Sequence, residues 1–170
     1  MKAVAVFDPN SSFNRYGISG FILFEDSPDG STTRVTFNLE DLPPRDGALA
    51  VHIHESGDLR YGCEGACAHF NPDGKLHGSY DLHGLDHHAG DLINNIAVQP
   101  DGTCFYYYDD PLITVKPGPY SIVGRSVVIH GGVDDGGAFR DRDRESATTG
   151  NAGERIACAV IGLARECKTS

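Results

Sequence analysis

Tryptophan is missing from this 170-residue chain, methionine occurs once, and lysine and arginine number 14 against 24 aspartates and glutamates, for a formal net charge of −10. Nowhere are the basic residues dense enough to follow a phosphate backbone, which argues against a nucleic-acid partner. No apolar run approaches the roughly 18 residues that a membrane-crossing helix needs, so no membrane association is expected. The opening residues M-K-A-V-A-V-F alternate like a strand and lack the apolar core of a signal peptide, so the expected location is the cytoplasm. Cysteine occurs five times, an odd and scattered set that does not make a disulfide scaffold. Long amphipathic helical periodicity and tandem repeats are also missing, which removes helical bundles and solenoids.

What is abundant is glycine, 21 residues, with nine prolines. Together they build turn signals at Pro28-Asp29-Gly30, Pro72-Asp73-Gly74, Pro100-Asp101-Gly102 and Pro117-Gly118-Pro119. Short alternating runs lie between such signals. Residues 2–7 alternate weakly, with Val4 and Val6 on one face; 17–24 place Ile18, Gly20, Ile22 and Phe24 together; 34–39 turn Val35, Phe37 and Leu39 inward. Further strand patterns occupy 48–55, 95–98, 103–108, 126–130 and 155–163. The chain is expected to form a single domain over 1–170, all-β, with seven to eight strands in a sandwich or flattened barrel. Two long segments, 56–91 and 131–154, lack strand pattern, and loops of that length in a compact domain are usually functional.

Histidine is where the chemistry concentrates. On the strand V-H-I-H at 51–54, period-two geometry puts His52 and His54 on one face, about 7 Å apart at their Cα atoms, while Val51 and Ile53 face the other way. His69, His77, His83, His87, His88 and Asp91 follow within the first long loop, and His130 ends a later strand on the face of Val128. His69, His77, His88 and Asp91 can supply three imidazoles and a carboxylate, a closed shell that suits structural zinc. His52, His54 and His130, with His69 as a possible fourth, form an all-nitrogen group that suits copper. His83 and His87 are expected to stand outside both groups, although spacing alone leaves His87 open as a rival to His88. A purely structural zinc protein would leave His52, His54 and His130 without a purpose.

In order and approximate spacing, the motifs V-H-I-H-E-S-G-D at 51–58, G-C at 62–63, H-F-N-P at 69–72, H-G at 77–78, H-A-G-D-L at 88–92, I-V-G-R-S-V-V-I-H at 122–130 and G-N-A-G-E-R-I-A-C at 150–158 resemble the copper/zinc superoxide dismutases of the cytosolic type. That resemblance covers nearly the whole chain. It implies an eight-stranded Greek-key, immunoglobulin-like sandwich with two functional loops, and an enzyme that converts superoxide to dioxygen and hydrogen peroxide by one-electron cycling of copper beside zinc. Copper would be held by His52, His54, His69 and His130, and zinc by His69, His77, His88 and Asp91, with His69 shared and passing protons during turnover. The His-Ala-Gly-Asp match selects His88 over His87. Asp134 matches a carboxylate that hydrogen-bonds one ligand of each metal. Arg155 matches an arginine that draws the small anion to the site mouth.

The resemblance further implies a Cys63–Cys158 disulfide, an antioxidant role, a homodimer in which Val160 and Leu163 take interface-like positions, and delivery of copper by a chaperone. Cys67 is a competing partner for Cys63, and Cys104 and Cys167 are expected as free thiols. Several positions depart from the pattern: Ser56 stands where an aromatic is usual, Thr148 and the pair Gly131-Gly132 stand where lysines are usual, and two residues are inserted between His77 and His88. Arg140, Arg142 and Arg144 are the candidates to replace the missing lysines. A related copper-chaperone domain, which has typically lost a copper ligand, is the competing assignment, and the presence of His130 speaks against it.

Overall fold

The computed structural model describes residues 1–43 and 47–165, so Cys167 lies outside the described residues. Eight strands run β1 Lys2–Phe7, β2 Ser19–Asp26, β3 Thr33–Glu40, β4 Ala48–His54, β5 Asn95–Ala97, β6 Cys104–Asp110, β7 Ser126–His130 and β8 Arg155–Leu163. They form a nearly closed antiparallel sheet in the order β5-β4-β7-β8-β1-β2-β3-β6. The connection from β3 to β4 crosses the barrel, and the chain returns from β5 to place β6 beside β3, which is the Greek-key path. Among the described residues no helix is long and apolar enough to cross a membrane.

Alternation decides the inside. Ile22 and Phe24 of β2, Val35, Phe37 and Leu39 of β3, and Ile156 and Ile161 of β8 share one core. On β1 the core takes Ala3, Ala5 and Phe7, which leaves Val4 and Val6 on the outer face. The Ser27–Gly30 turn between β2 and β3 closes with Gly30 N donating to Ser27 O at 2.9 Å.

The centre of interest lies where β4 meets β7. Val51 and Ile53 pair with Ile129 and Val127, and all four enter the core. His52 and His54, opposite Val128 and Ser126, look the other way, yet every residue of β4 from Leu49 on is buried because the two long loops cover that face. These loops are less bare than their composition suggests. The first contains a 3-10 segment at Leu59–Ala66 and a single helical turn α1, Tyr80–His83; the second contains α2, Arg144–Thr148, whose N-cap Asp143 accepts from Glu145 N. At so few residues each, no hydrophobic periodicity could announce them. Arg140 joins the loops by donating to the Asp86 carbonyl at 2.9 Å and to its carboxylate at 3.0 Å.

Candidate metal centre

Strand β4 delivers His52 and His54, the end of β7 delivers His130, and an isolated antiparallel bridge between His54 and His69 brings the first loop over them. One nitrogen of each ring is already committed. His54 donates from Nδ1 to Cys67 O at 2.8 Å, His130 from Nδ1 to Gly153 O at 3.2 Å, and His52 from Nε2 to Asp134 Oδ2 at 2.7 Å. The opposite nitrogens, His52 Nδ1 and the Nε2 atoms of His54, His69 and His130, are thereby left as lone pairs facing one another. His54 Nε2 and His130 Nε2 stand 3.4 Å apart, and His52 Nδ1 and His69 Nε2 are buried with no hydrogen-bond partner. Orphaned buried acceptors are costly, and four converging lone pairs are the electrostatic complement of a cation.

A second group shares His69. Asp91 Oδ2 accepts from the backbone N–H groups of Gly78 at 3.1 Å and His88 at 3.0 Å, which aims Oδ1 at three Nδ1 atoms: His69 at 2.9 Å, His77 at 2.9 Å and His88 at 3.0 Å. The edge of a tetrahedral shell with nitrogen and oxygen ligands is about 3.3 Å, so the four donors sit close to a zinc-like arrangement. Gly90 lets this turn press onto β4, since a Cβ there would meet Ile53 O at 2.2 Å. The donors of each group lie within 4.8 Å of one another and all seven residues are buried. Both donor sets therefore fit a metal ion, nitrogen-only in one case and three nitrogens with an oxygen in the other.

Asp134 ties the groups together. Its Oδ2 takes the proton of His52 Nε2 at 2.7 Å and its Oδ1 that of His77 Nε2 at 2.8 Å, so one carboxylate orients a ring from each set. Asn94 donates to Oδ2 at 3.0 Å, and the Asn95 side chain brackets the Asp134 backbone through its N–H at 2.8 Å and its carbonyl at 2.9 Å. Neither asparagine is a motif residue in sequence. Asn94, at φ 63°, occupies a left-handed position that asparagine tolerates, and that tolerance is the one property that could have singled it out. His87 is brought close but not to Asp91 Oδ1: it is buried, donates from Nδ1 to His88 O at 2.8 Å and lies 3.7 Å from Asp91 Oδ2. His83 accepts from Ser79 N at 3.2 Å.

Burial, with the neighbouring His69, holds the His52 and His54 rings well below the usual imidazole pKa, and burial pushes His130 down to about 4. These rings are neutral at pH 7 and keep their lone pairs. For His77 burial is outweighed by the Asp134 and Asp91 carboxylates, which raise it to about 9. Burial of Asp91 and Asp134 is likewise outweighed by their histidine partners, which hold both carboxylates below the usual range.

The sign of the pH dependence follows. His130, charged more readily when unfolded, should cost the metal-free protein stability as pH falls from about 6.5 towards 4; the raised His77 contributes stability below about 6.5 that is lost as pH rises through about 9. Chemical denaturation of the metal-free protein should therefore show maximal stability near neutrality and declines on both sides. A monotonic rise from pH 5 to 9 would contradict these assignments.

At the rim, Arg155 donates to Cys63 O at 2.7 Å and to Cys67 O at 2.6 Å, and its charge helps keep His54 and His130 unprotonated. Cys63 and Cys158 are disulfide-bonded, tying the first loop to β8; Cys67 is an exposed free thiol and Cys104 a buried one. Of the loop arginines, Arg140 is taken up by Asp86 and Arg142 lies 5.0 Å over the Phe139 ring.

An antiparallel Greek-key barrel whose outer face carries two buried histidine-rich groups joined by one ring defines a class of metal-binding β protein. Residues 18–161 match the family model for copper/zinc superoxide dismutase (SODC), and the chain belongs to that family, which binds copper and zinc. A solved structure titled "Crystal Structure Analysis of the clock protein EA4" is 35% identical, superimposes with a TM-score of 0.82, and is matched over 96% of this chain and 94% of that one.

Proposed function

We propose that the chain is a superoxide dismutase, with His52, His54, His69 and His130 holding copper and His69, His77, His88 and Asp91 holding zinc. The observation that carries the reading is a single buried ring, His69, whose Nδ1 faces Asp91 at 2.9 Å while its Nε2, without a hydrogen-bond partner, joins the all-nitrogen group. When bound, copper supplies a one-electron redox change and zinc, which has none, supplies fixed charge.

The protein's part is positioning and proton handling. His54 and His130 are held in one tautomer by Cys67 O and Gly153 O, so each presents Nε2 and neither can turn. Burial keeps His69 below the usual imidazole pKa, which leaves its Nε2 lone pair available and favours release of any proton taken up there. Arg155, anchored by two carbonyls, places a positive charge beside His54 and His130, where it draws and orients a small anion on a chain whose net charge of −10 repels it. The same reading takes 1–170 as one domain, cytoplasmic, working as a homodimer through the end of β8 around Val160 and Leu163, and receiving copper from a chaperone. These features rest on the resemblance to cytosolic family members.

The test is metal analysis of the purified protein with a superoxide-consumption assay, repeated for His54→Ala. Wild type is expected to hold both metals and consume superoxide. His54→Ala should keep zinc, because His54 supplies none of the four donor atoms of that group, while copper and activity fall together by at least ~10-fold. Retention of copper and full rate by His54→Ala would overturn the assignment.

A further inference from the structure

Strands β5 and β6 are the two edges of the sheet, and no ladder joins them. Where they part, a cavity of about 600 Å³ opens between the end of β6 and the chain around α1, His87 and residues 92–94. That volume is in the range of small-ligand sites. None of the seven metal-centre donor residues lines it.

The inner wall carries acceptors that lack partners. Asp110 is buried at the end of β6; its Oδ1 accepts from Leu112 N at 2.8 Å and Ile113 N at 3.2 Å, and its Oδ2 from the Tyr108 hydroxyl at 3.1 Å. No lysine or arginine is among these partners. A buried carboxylate without a counter-cation keeps part of its desolvation cost, and burial accordingly raises the Asp110 pKa. The His87 ring donates from Nδ1 to His88 O, which leaves Nε2 as an acceptor. Asn94 uses Nδ2 on Gly78 O and Asp134 Oδ2, which leaves its side-chain oxygen unpartnered among the described residues. His87 and Asn94 are only 4% and 6% exposed. The fully enclosed side-chain atoms without a partner are His52 Nδ1 and His69 Nε2, not these. His87 Nε2 and Asn94 Oδ1 therefore reach open space, and the space that both residues line is this cavity.

Counting lone pairs selects the cation. Asp110 Oδ1 is filled by two N–H groups and Oδ2 is half filled by Tyr108, so the carboxylate can take one more donor but not the parallel pair of a guanidinium. A primary ammonium has three single donors, one each for Asp110 Oδ2, His87 Nε2 and Asn94 Oδ1. A bare metal ion fits worse, because the described groups of three or more donors within 4.8 Å of one another all belong to the metal centre. The outer wall is aromatic. Tyr80 and Tyr106, 62% and 50% exposed, stand at the mouth, while Leu92 and Tyr108 line the interior. Ring faces attract cations and cover apolar surface. The exposed Asp81 adds negative charge, and no lysine or arginine lines the cavity.

We propose that this cavity binds a small organic amine as its primary ammonium ion, with the charged end on Asp110, His87 and Asn94 and an apolar or aromatic body among the tyrosines. The site is separate from the superoxide chemistry and stands whether or not that reading holds.

Isothermal titration calorimetry of the metal-loaded protein with phenethylammonium chloride tests it. Saturable binding is expected, at least ~10-fold tighter than that of phenylacetate or phenethyl alcohol, which match the probe in size but lack the cation. Asp110→Asn keeps the shape and an oxygen for Leu112 N and Ile113 N, and should weaken binding at least ~10-fold. Tyr106→Ala, an exposed change that leaves the three acceptors in place, should weaken it about 3-fold. This second variant decides the matter should Asp110→Asn lose its thermal unfolding transition. The proposal is overturned if the ammonium ion shows no saturable binding, if phenylacetate or phenethyl alcohol binds as tightly, or if either folded variant binds the ammonium ion as wild type does.

Discussion

Replacing Gly150 by alanine is expected to strip both metals from the protein, although Gly150 is a ligand of neither. Its φ is +65°, and a Cβ there would lie 2.0 Å from Asp134 Oδ1 and 2.4 Å from His77 Nε2. Neither atom can give way cheaply. Asp134 is buried and held by Asn94, Asn95 and Gly136 N, and it is the only described group restraining both His52 and His77. Displacing it leaves two buried ring N–H groups without acceptors, a penalty of about 1–3 kcal/mol each, and frees one ring in each donor set. Loss of such an orienting group typically weakens metal affinity by roughly 10–100-fold, and here the loss reaches both sites at once. Gly74→Ala provides the control, because Gly74 has a φ of +66° with nothing within 4 Å of the added Cβ. It carries the backbone cost of a left-handed alanine, about 1 kcal/mol, without the collision. Copper and zinc content after dialysis against a chelator should fall sharply for Gly150→Ala, should fall similarly for Asp134→Ala, and should match wild type for Gly74→Ala. Gly150→Ala protein that retains both metals under that challenge would show that Asp134 does not hold the donors in place.

Breaking the disulfide should have the largest effect on stability. Cys63 and Cys158 are 95 residues apart, and closing a loop of that length stabilises by about 4–5 kcal/mol in the chain-entropy model. For a domain of this size that corresponds to a fall in Tm of roughly 10–20 °C on Cys158→Ser substitution. The bond also sits under the rim of the metal centre. Cys63 and Cys158 pack with Ala66 and Val128, and the carbonyls of Cys63 and Cys67 hold Arg155. Superoxide consumption by Cys158→Ser should therefore drop even at temperatures where the variant is folded, because the arginine loses its anchors. Calorimetry with and without reductant, paired with activity at 25 °C, separates the two effects. A shift in Tm below about 3 °C would mean that the loop is held mainly by its metal contacts and not by the cross-link.

The strands were legible because their information is local. Apolar alternation in 34–39, the short apolar run in 126–130 and the Pro-Asp-Gly turn at 28–30 act through neighbouring residues, and β3, β7 and the turn between β2 and β3 lie where those patterns put them. The histidine-rich segments were legible for a different reason: V-H-I-H puts two rings on one face by strand geometry alone, whatever the strand pairs with. The short helices α1 and α2 were not legible, because four or five residues carry no periodicity.

By itself, then, the amino-acid order determined that this is an all-β chain, which residue types gather near β4, and that a metal-binding group was worth expecting there. It did not determine which nitrogen each ring offers. That choice is made by Cys67 O, Gly153 O and Asp134, residues 13, 23 and 82 positions away from the rings they hold, and it exists only once β4, β7 and both loops have closed on one another. The asparagines behind Asp134 and the clearance at Gly150 are of the same kind. Each depends on strand register and loop docking, long-range properties that spacing along a chain does not encode, because a hydrogen bond is specified by distance and angle in space and not by separation in sequence.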